Sequence, residues 1–148
     1  MTKLFNSTFE VSLRIIMLLS SIADTEMTVD RIVAYDFMSV YGRYFGLSDE
    51  NLHGDNNYGF SEFSARRTAV QVALKTLVTD GLIKATRRDA GFCYEISESG
   101  RKFAKGQKTA YAAEYCHIVK AAHKKYKSKS EVELMTVISN KSTEALRR

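Results

Sequence analysis

The chain has 148 residues, of which 45% are hydrophobic and 26% charged. That length suits one compact domain, or a domain with an appended helical arm, and the apolar content excludes general disorder. Net charge is +5, but residues 1–100 hold 10 Lys+Arg against 13 Asp+Glu, while residues 101–148 hold 12 against 4. The positive charge therefore sits in the C-terminal third, where it suits nucleic acid, an acidic protein surface or solvent.

The longest apolar run, Ile15-Ile16-Met17-Leu18-Leu19, is far short of the roughly 20 residues that cross a bilayer. Met1–Asn6 has no charged leader ahead of a long apolar stretch. The expectation is a cytoplasmic protein. Cys93 and Cys116 lie far apart and make no disulfide framework or metal pattern, so both are expected reduced and partly buried.

In chain order, Ser7-Thr8-Phe9-Glu10 reads as a capping box opening a helix over about residues 8–22, with Phe9, Leu13, Ile16 and Met17 as its apolar stripe. Asp24-Thr25-Glu26 is a turn. Thr28 caps a second helix whose apolar positions are 33, 37, 40, 41 and 44, and Gly46 stops it. A polar loop follows over 46–62. A third helix spans about 61–80, with Val70, Ala73, Leu74, Leu77 and Val78 buried and Arg67, Gln71 and Lys75 on one outer face. Gly81 sits where a left-handed helix end favours glycine.

Phe92, Tyr94 and Ile96 alternate with Cys93 and Glu95 at a strand period, and a short turn at Asp89-Ala90-Gly91 joins this strand to Leu82–Arg88 as a hairpin. Ser97-Glu98-Ser99-Gly100 starts another helical turn. A long helix over 107–126 places Tyr111, Tyr115, Ile118, Val119, Ala122 and Tyr126 on one face and Lys120, Lys124 and Lys127 on the other. Residues 127–129 form a hinge, and Ser130 caps a last helix.

The fold class is mainly α with a small β-hairpin, an α+β arrangement. Three helices followed by a two-stranded hairpin, with the glycine and apolar pair Gly81-Leu82-Ile83 and the Ser97–Gly100 turn, resemble a winged-helix domain. The division expected is a winged-helix-like domain over 1–104 with the loop 46–62 inserted, and a C-terminal helical extension over 105–148 packing on it. The winged-helix resemblance implies that Arg67, Gln71 and Lys75 face a DNA groove, with Lys84, Arg87 and Arg88 on the wing. Against DNA, this part of the chain is net negative and the loop before the third helix is acidic. The other reading of the same side chains, with Lys120 and Lys124, is contact with an acidic partner or with solvent.

The loop raises four options. Asp49, Asn51, His53, Gly54 and Asp55 match a calcium loop in spacing, but the position of its closing glutamate is Phe60, and the histidines at 53, 117 and 123 are too scattered for zinc. No nucleophile motif or phosphate loop is present, so no catalytic residue, metal or cofactor is assigned and the chain is expected not to be an enzyme. A carboxylate pair at Asp49 and Asp55 is the one enzymatic alternative. Free disorder does not fit Leu47, Leu52, Tyr58, Phe60 and Phe63. An ordered loop does, with Asp49, Asn51, Leu52, His53, Asp55, Tyr58 and Phe60 as candidates for a protein interface. Packing of Leu47, Leu52 and Phe63 onto their own domain stands beside presentation.

Four local patterns carry a second resemblance: Leu4-Phe5-Asn6-Ser7 with Glu10 and Leu13-Arg14; Asp30-Arg31-Ile32-Val33 with Tyr35-Asp36-Phe37; Asn51-Leu52-His53-Gly54-Asp55 with Glu62 and Arg66-Arg67; and Gly81-Leu82-Ile83. Over about residues 4–122, without the last helix, the chain resembles the middle component of bacterial ABC-three-component systems, the group that includes Lamassu anti-phage systems. In that family the loop reads Ser-Leu-His-Pro, whereas Asn51 and Gly54 stand here. The resemblance implies a non-catalytic accessory subunit between an ATPase similar to structural-maintenance-of-chromosomes proteins and an effector nuclease or hydrolase. DNA would be met through the complex, without a membrane or a small-molecule substrate. The alternative is a winged-helix transcription regulator.

Overall fold

A computed structural model describes residues 7–23, 25–54 and 63–146. Helix α1 spans Thr8–Ser21. Strand β1 (Met27–Thr28) leads into α2 (Val29–Val40), a 3-10 turn (Gly42–Phe45) and α3 (Phe63–Thr79). Strands β2 (Ile83–Arg88) and β3 (Gly91–Ile96) follow, then α4 (Glu98–Lys105), α5 (Ala110–Tyr126) and α6 (Glu131–Leu146). The sheet is antiparallel in the order β1-β3-β2. The expected α+β class is what the chain adopts.

The helix starts are local and follow from the sequence. Ser7 Oγ accepts the Glu10 N–H at 3.2 Å, and Thr28 Oγ1 accepts the Arg31 N–H at the same distance. Ser130 and Glu133 form a reciprocal box: Ser130 N–H donates to Glu133 Oε1 at 2.9 Å, and Glu133 N–H to Ser130 Oγ at 3.2 Å. Gly81 takes φ 75°, the left-handed turn that ends α3. The hairpin pairs Ile83 with Ile96 and Arg88 with Gly91, leaving Asp89 and Ala90 at its tip.

The β2–α4 corner needs a residue without a side chain. A Cβ on Gly100 would lie 2.1 Å from the Leu82 carbonyl oxygen. Ser97 Oγ closes the corner by donating to the Gly81 carbonyl at 2.7 Å and accepting the Gly100 N–H at 3.0 Å.

Four expectations are corrected. β1 was not foreseen; it exists because Met27 and Thr28 pair with Tyr94 and Cys93. The second helix ends at Val40 rather than at Gly46. Its last carbonyl, of Val40, is taken by the Leu52 N–H at 2.9 Å, and in the 3-10 turn that follows the Gly42 carbonyl is taken by the Leu47 N–H at 2.8 Å. Phe9 stands 68% exposed at the start of α1, and Val78 is 38% exposed. The first two residues expected for the third helix lie outside the described ones.

Helix α2 is the centre of the core. Residues 32–40 are all buried, with α1, α3 and α5 around them. Phe37 gathers the rings of Tyr41, Phe45 and Phe63 at 5.0, 6.2 and 5.2 Å between centroids. Leu47, Leu52 and Phe63 pack against this core. Helix α6 is docked by Arg31, whose Nε donates to Glu131 Oε1 at 2.9 Å, Nη1 to the Tyr35 hydroxyl at 3.2 Å and Nη2 to the Lys129 carbonyl. Cys93 and Cys116 are free and half-buried.

Candidate functional site

Three of the four helices around the core each contribute one polar group to Asp36 of α2. Arg14 of α1 donates from Nε to Oδ1 at 2.9 Å and from Nη2 to Oδ2 at 3.3 Å. Arg66, in the first turns of α3, donates from Nη1 to Oδ2 at 2.9 Å. The Tyr115 hydroxyl of α5 donates to Oδ1 at 2.6 Å. Arg14, Asp36 and Arg66 side chains are 1%, 1% and 3% exposed. The sequence carries a signal for this cluster that hydrophobic periodicity overlooks. Arg14 is three residues from Val11 and four from Leu18, and Asp36 is four from both Ile32 and Val40. Each charge therefore lies on a buried stripe.

Burial alone would raise the Asp36 carboxyl, but the Arg14 and Arg66 charges and the bonds from Arg14 and Tyr115 outweigh it and hold it well below the ordinary carboxylate range. Burial pushes Tyr115 far up, with Asp36 adding to it, and pushes Tyr111 up to about 12. His53 hangs on this cluster. Its Nε2 is 2.8 Å from the Tyr111 hydroxyl, and its ring stacks on Tyr111, which stacks in turn on Tyr115. Burial first, then the Arg14 and Arg66 charges, lower the His53 imidazole to about 3. At neutral pH the cluster thus holds an ionised Asp36, neutral His53 and neutral tyrosines. None of these is poised to exchange a proton, as a general acid or base must be.

The loop candidates divide. Asp49 is exposed, whereas Asn51 is buried and its Oδ1 accepts the Arg43 N–H at 2.9 Å, an internal tie of the loop. Leu52 and His53 are half-buried, facing the core and Tyr111. Asp55, Tyr58 and Phe60 lie outside the described residues. Lys125 Nζ fixes the start of the loop to α5 by donating to the Phe45 carbonyl at 2.6 Å.

Arg67, Gln71 and Lys75 do share the outer face of α3. With Phe92 and Tyr94 of β3 and Glu131 of α6 they line a groove of about 490 Å³. Arg67 is ion-paired to Asp30 and Arg88 to Glu26. Lys84 and Arg87 are exposed on β2 and lie outside this groove, and Lys120 and Lys124 are exposed on α5. Phe92 is 54% exposed at the groove's rim. This wall carries both signs of charge and an aromatic ring, which suits a protein surface better than a phosphate backbone.

Among the described residues no cluster of three or more His, Cys, Asp or Glu side chains is placed to hold a metal, and no helix is long and apolar enough to cross a membrane. No curated protein and no solved structure matches the chain. A family model, that of the ABC-three component (ABC-3C) system Middle Component 2, matches residues 4–148, and so includes α6, which the local motifs had left out. The chain therefore belongs to the Middle Component 2 family of ABC-three-component systems, and it works as an accessory middle component alongside the other components of such a system.

Proposed function

We propose that this middle component is a non-catalytic bridge between an SMC-like ABC ATPase and an effector nuclease or hydrolase, in a cytoplasmic anti-phage complex of Lamassu type. The observation that carries the reading is the family match over residues 4–148. The element order with β1 beside β3, and the groove between α3 and β3, support reading residues 1–104 as a winged-helix-like domain turned to protein contact. The ion pairs at Arg67 and Arg88 withdraw two of the cations that phosphate contact needs. Asp49 on the loop and Phe92 on the groove are the contacts the bridge offers its partners.

Co-expression with the other components of the system, followed by native mass spectrometry, tests this. The expected result is a stable assembly containing a large coiled-coil ATPase, weakened about tenfold or more by the pair Lys75→Glu and Phe92→Asp. A lone homodimer that ignores those components and binds DNA with a steep salt dependence favours the transcription-regulator reading instead, for which Gln71, Lys75, Lys84 and Arg87 remain exposed.

A further inference from the structure

Two guanidinium groups share one carboxylate in the core, so Arg14, Asp36 and Arg66 together carry a formal charge of +1 where water does not reach. Arg14 spends its Nε–Nη2 edge on both oxygens of Asp36, the two-bond fork by which guanidinium takes a carboxylate. Arg66 meets Asp36 differently, through Nη1 alone. Its own Nε and Nη2, the equivalent fork, are buried and have no hydrogen-bond acceptor among the described residues. The rings of Phe37 and Tyr41 flank the guanidinium at 5.6 and 6.0 Å from its central carbon, which leaves the group's edge as the direction for a further bond.

We propose that the Nε–Nη2 edge of Arg66 is a carboxylate-binding site. Two parallel N–H groups match the two oxygens of a planar carboxylate. A monoanion brings the cluster to neutrality, while a dianion would leave the same buried volume with an excess negative charge. A buried charge with unmet donors is costly, so the site has a standing attraction for such a group. The carboxylate comes either from solution or from an acidic side chain of another component. The second source rests on the bridging reading above, and the first does not.

The first arm uses the full chain alone. Sodium acetate is exchanged for sodium methanesulfonate at constant ionic strength while the melting temperature and the ¹⁵N–¹H signal of the Arg66 Nε are followed. A free-carboxylate site predicts a saturable rise of about 3 °C and a moving Nε signal in the wild type, both lost in Arg66→Lys, which keeps the charge without the fork. The second arm adds the co-purified ATPase and effector components. If acetate does nothing but these proteins move the Arg66 Nε signal, an acidic side chain is the source. The Nε signal of the wild type keeps the test decisive where the lysine variant fails to fold. The proposal is overturned if neither acetate nor the components move that signal, if the acetate response survives in Arg66→Lys, or if Asp55→Asn or Glu62→Gln shifts the signal in the isolated chain, since the fork is then served from within.

Discussion

Arg14 of α1 and Asp36 of α2 face each other through two hydrogen bonds, Nε to Oδ1 at 2.9 Å and Nη2 to Oδ2 at 3.3 Å, with both side chains 1% exposed. This pair, 22 residues apart in sequence, sits where apolar side chains would pack more simply. Replacing a buried ion pair with apolar residues is often neutral, whereas removing one partner is strongly destabilising. Losing one partner of this cluster therefore leaves an uncompensated charge buried among α1, α2, α3 and α5.

Asp36→Asn keeps the shape and removes the carboxylate from two buried guanidinium groups. The expected loss is about 3–5 kcal/mol, a large part of the usual stability of a domain. Urea denaturation of the variant should show a much lower midpoint or no folded baseline. A midpoint within error of the wild type would mean that the pair carries no net weight.

The His53 imidazole is lowered to about 3 from an ordinary value of 6.5. The folded state thus binds fewer protons than the unfolded chain between those values, so its contribution is complete above pH 6.5 and is lost as pH falls toward 3. Stability should drop toward the limiting slope of about 1.4 kcal/mol per pH unit on acidification below pH 6.5. Asp36, held low, keeps its own contribution above the ordinary carboxylate range and loses it as pH falls through that range and below. His123, lowered by burial and then by the Lys127 and Arg31 charges, adds a smaller drift of the same sign. Thermal melts between pH 4.5 and 7 for the wild type and His53→Asn separate these, and the variant should give the flatter profile.

Arg31→Ala removes the two bonds, to Glu131 and to the Lys129 carbonyl, that tie α2 to the α5–α6 junction. Helix α6 should open locally while the core stays closed. Hydrogen exchange should quicken across residues 131–146 with little change in α1, α2 and α3. Uniform quickening would show instead that α6 unfolds only with the whole chain.

Gly100→Ala drives a methyl group against the Leu82 carbonyl oxygen and the Ile96 side chain. Because the first obstacle is backbone, the corner between β2 and α4 has to shift, at a cost of about 1–3 kcal/mol. The melting temperature should fall, with the hairpin resonances moving most in NMR spectra. The same substitution at Gly106, whose Cβ would meet its nearest atom at 3.3 Å, is the control expected to cost less.

What was legible in the sequence is what is decided within a few residues. The Ser7, Thr28 and Ser130 caps rest on bonds three residues apart. The hairpin rests on alternation around a short turn, and the end of α3 rests on the one residue type that accepts φ 75° without strain. The loop's own apolar residues said that it is pinned, and Leu47, Leu52 and Phe63 do pack inward.

Tertiary structure decided the rest. β1 is two residues long and exists only through β3, more than 60 residues away. At the early end of α2 the Val40 carbonyl is taken by the N–H of Leu52, twelve residues on in the loop. His53 reads as an offered side chain until Tyr111, 58 residues on, accounts for its ring. Arg14, Asp36, Arg66 and Tyr115 are ordinary helix residues by local propensity, and only the convergence of four helices turns them into one buried, positively charged cluster. Helix and turn signals are short-range in the chain, whereas electrostatic pairing and burial depend on which faces meet across it.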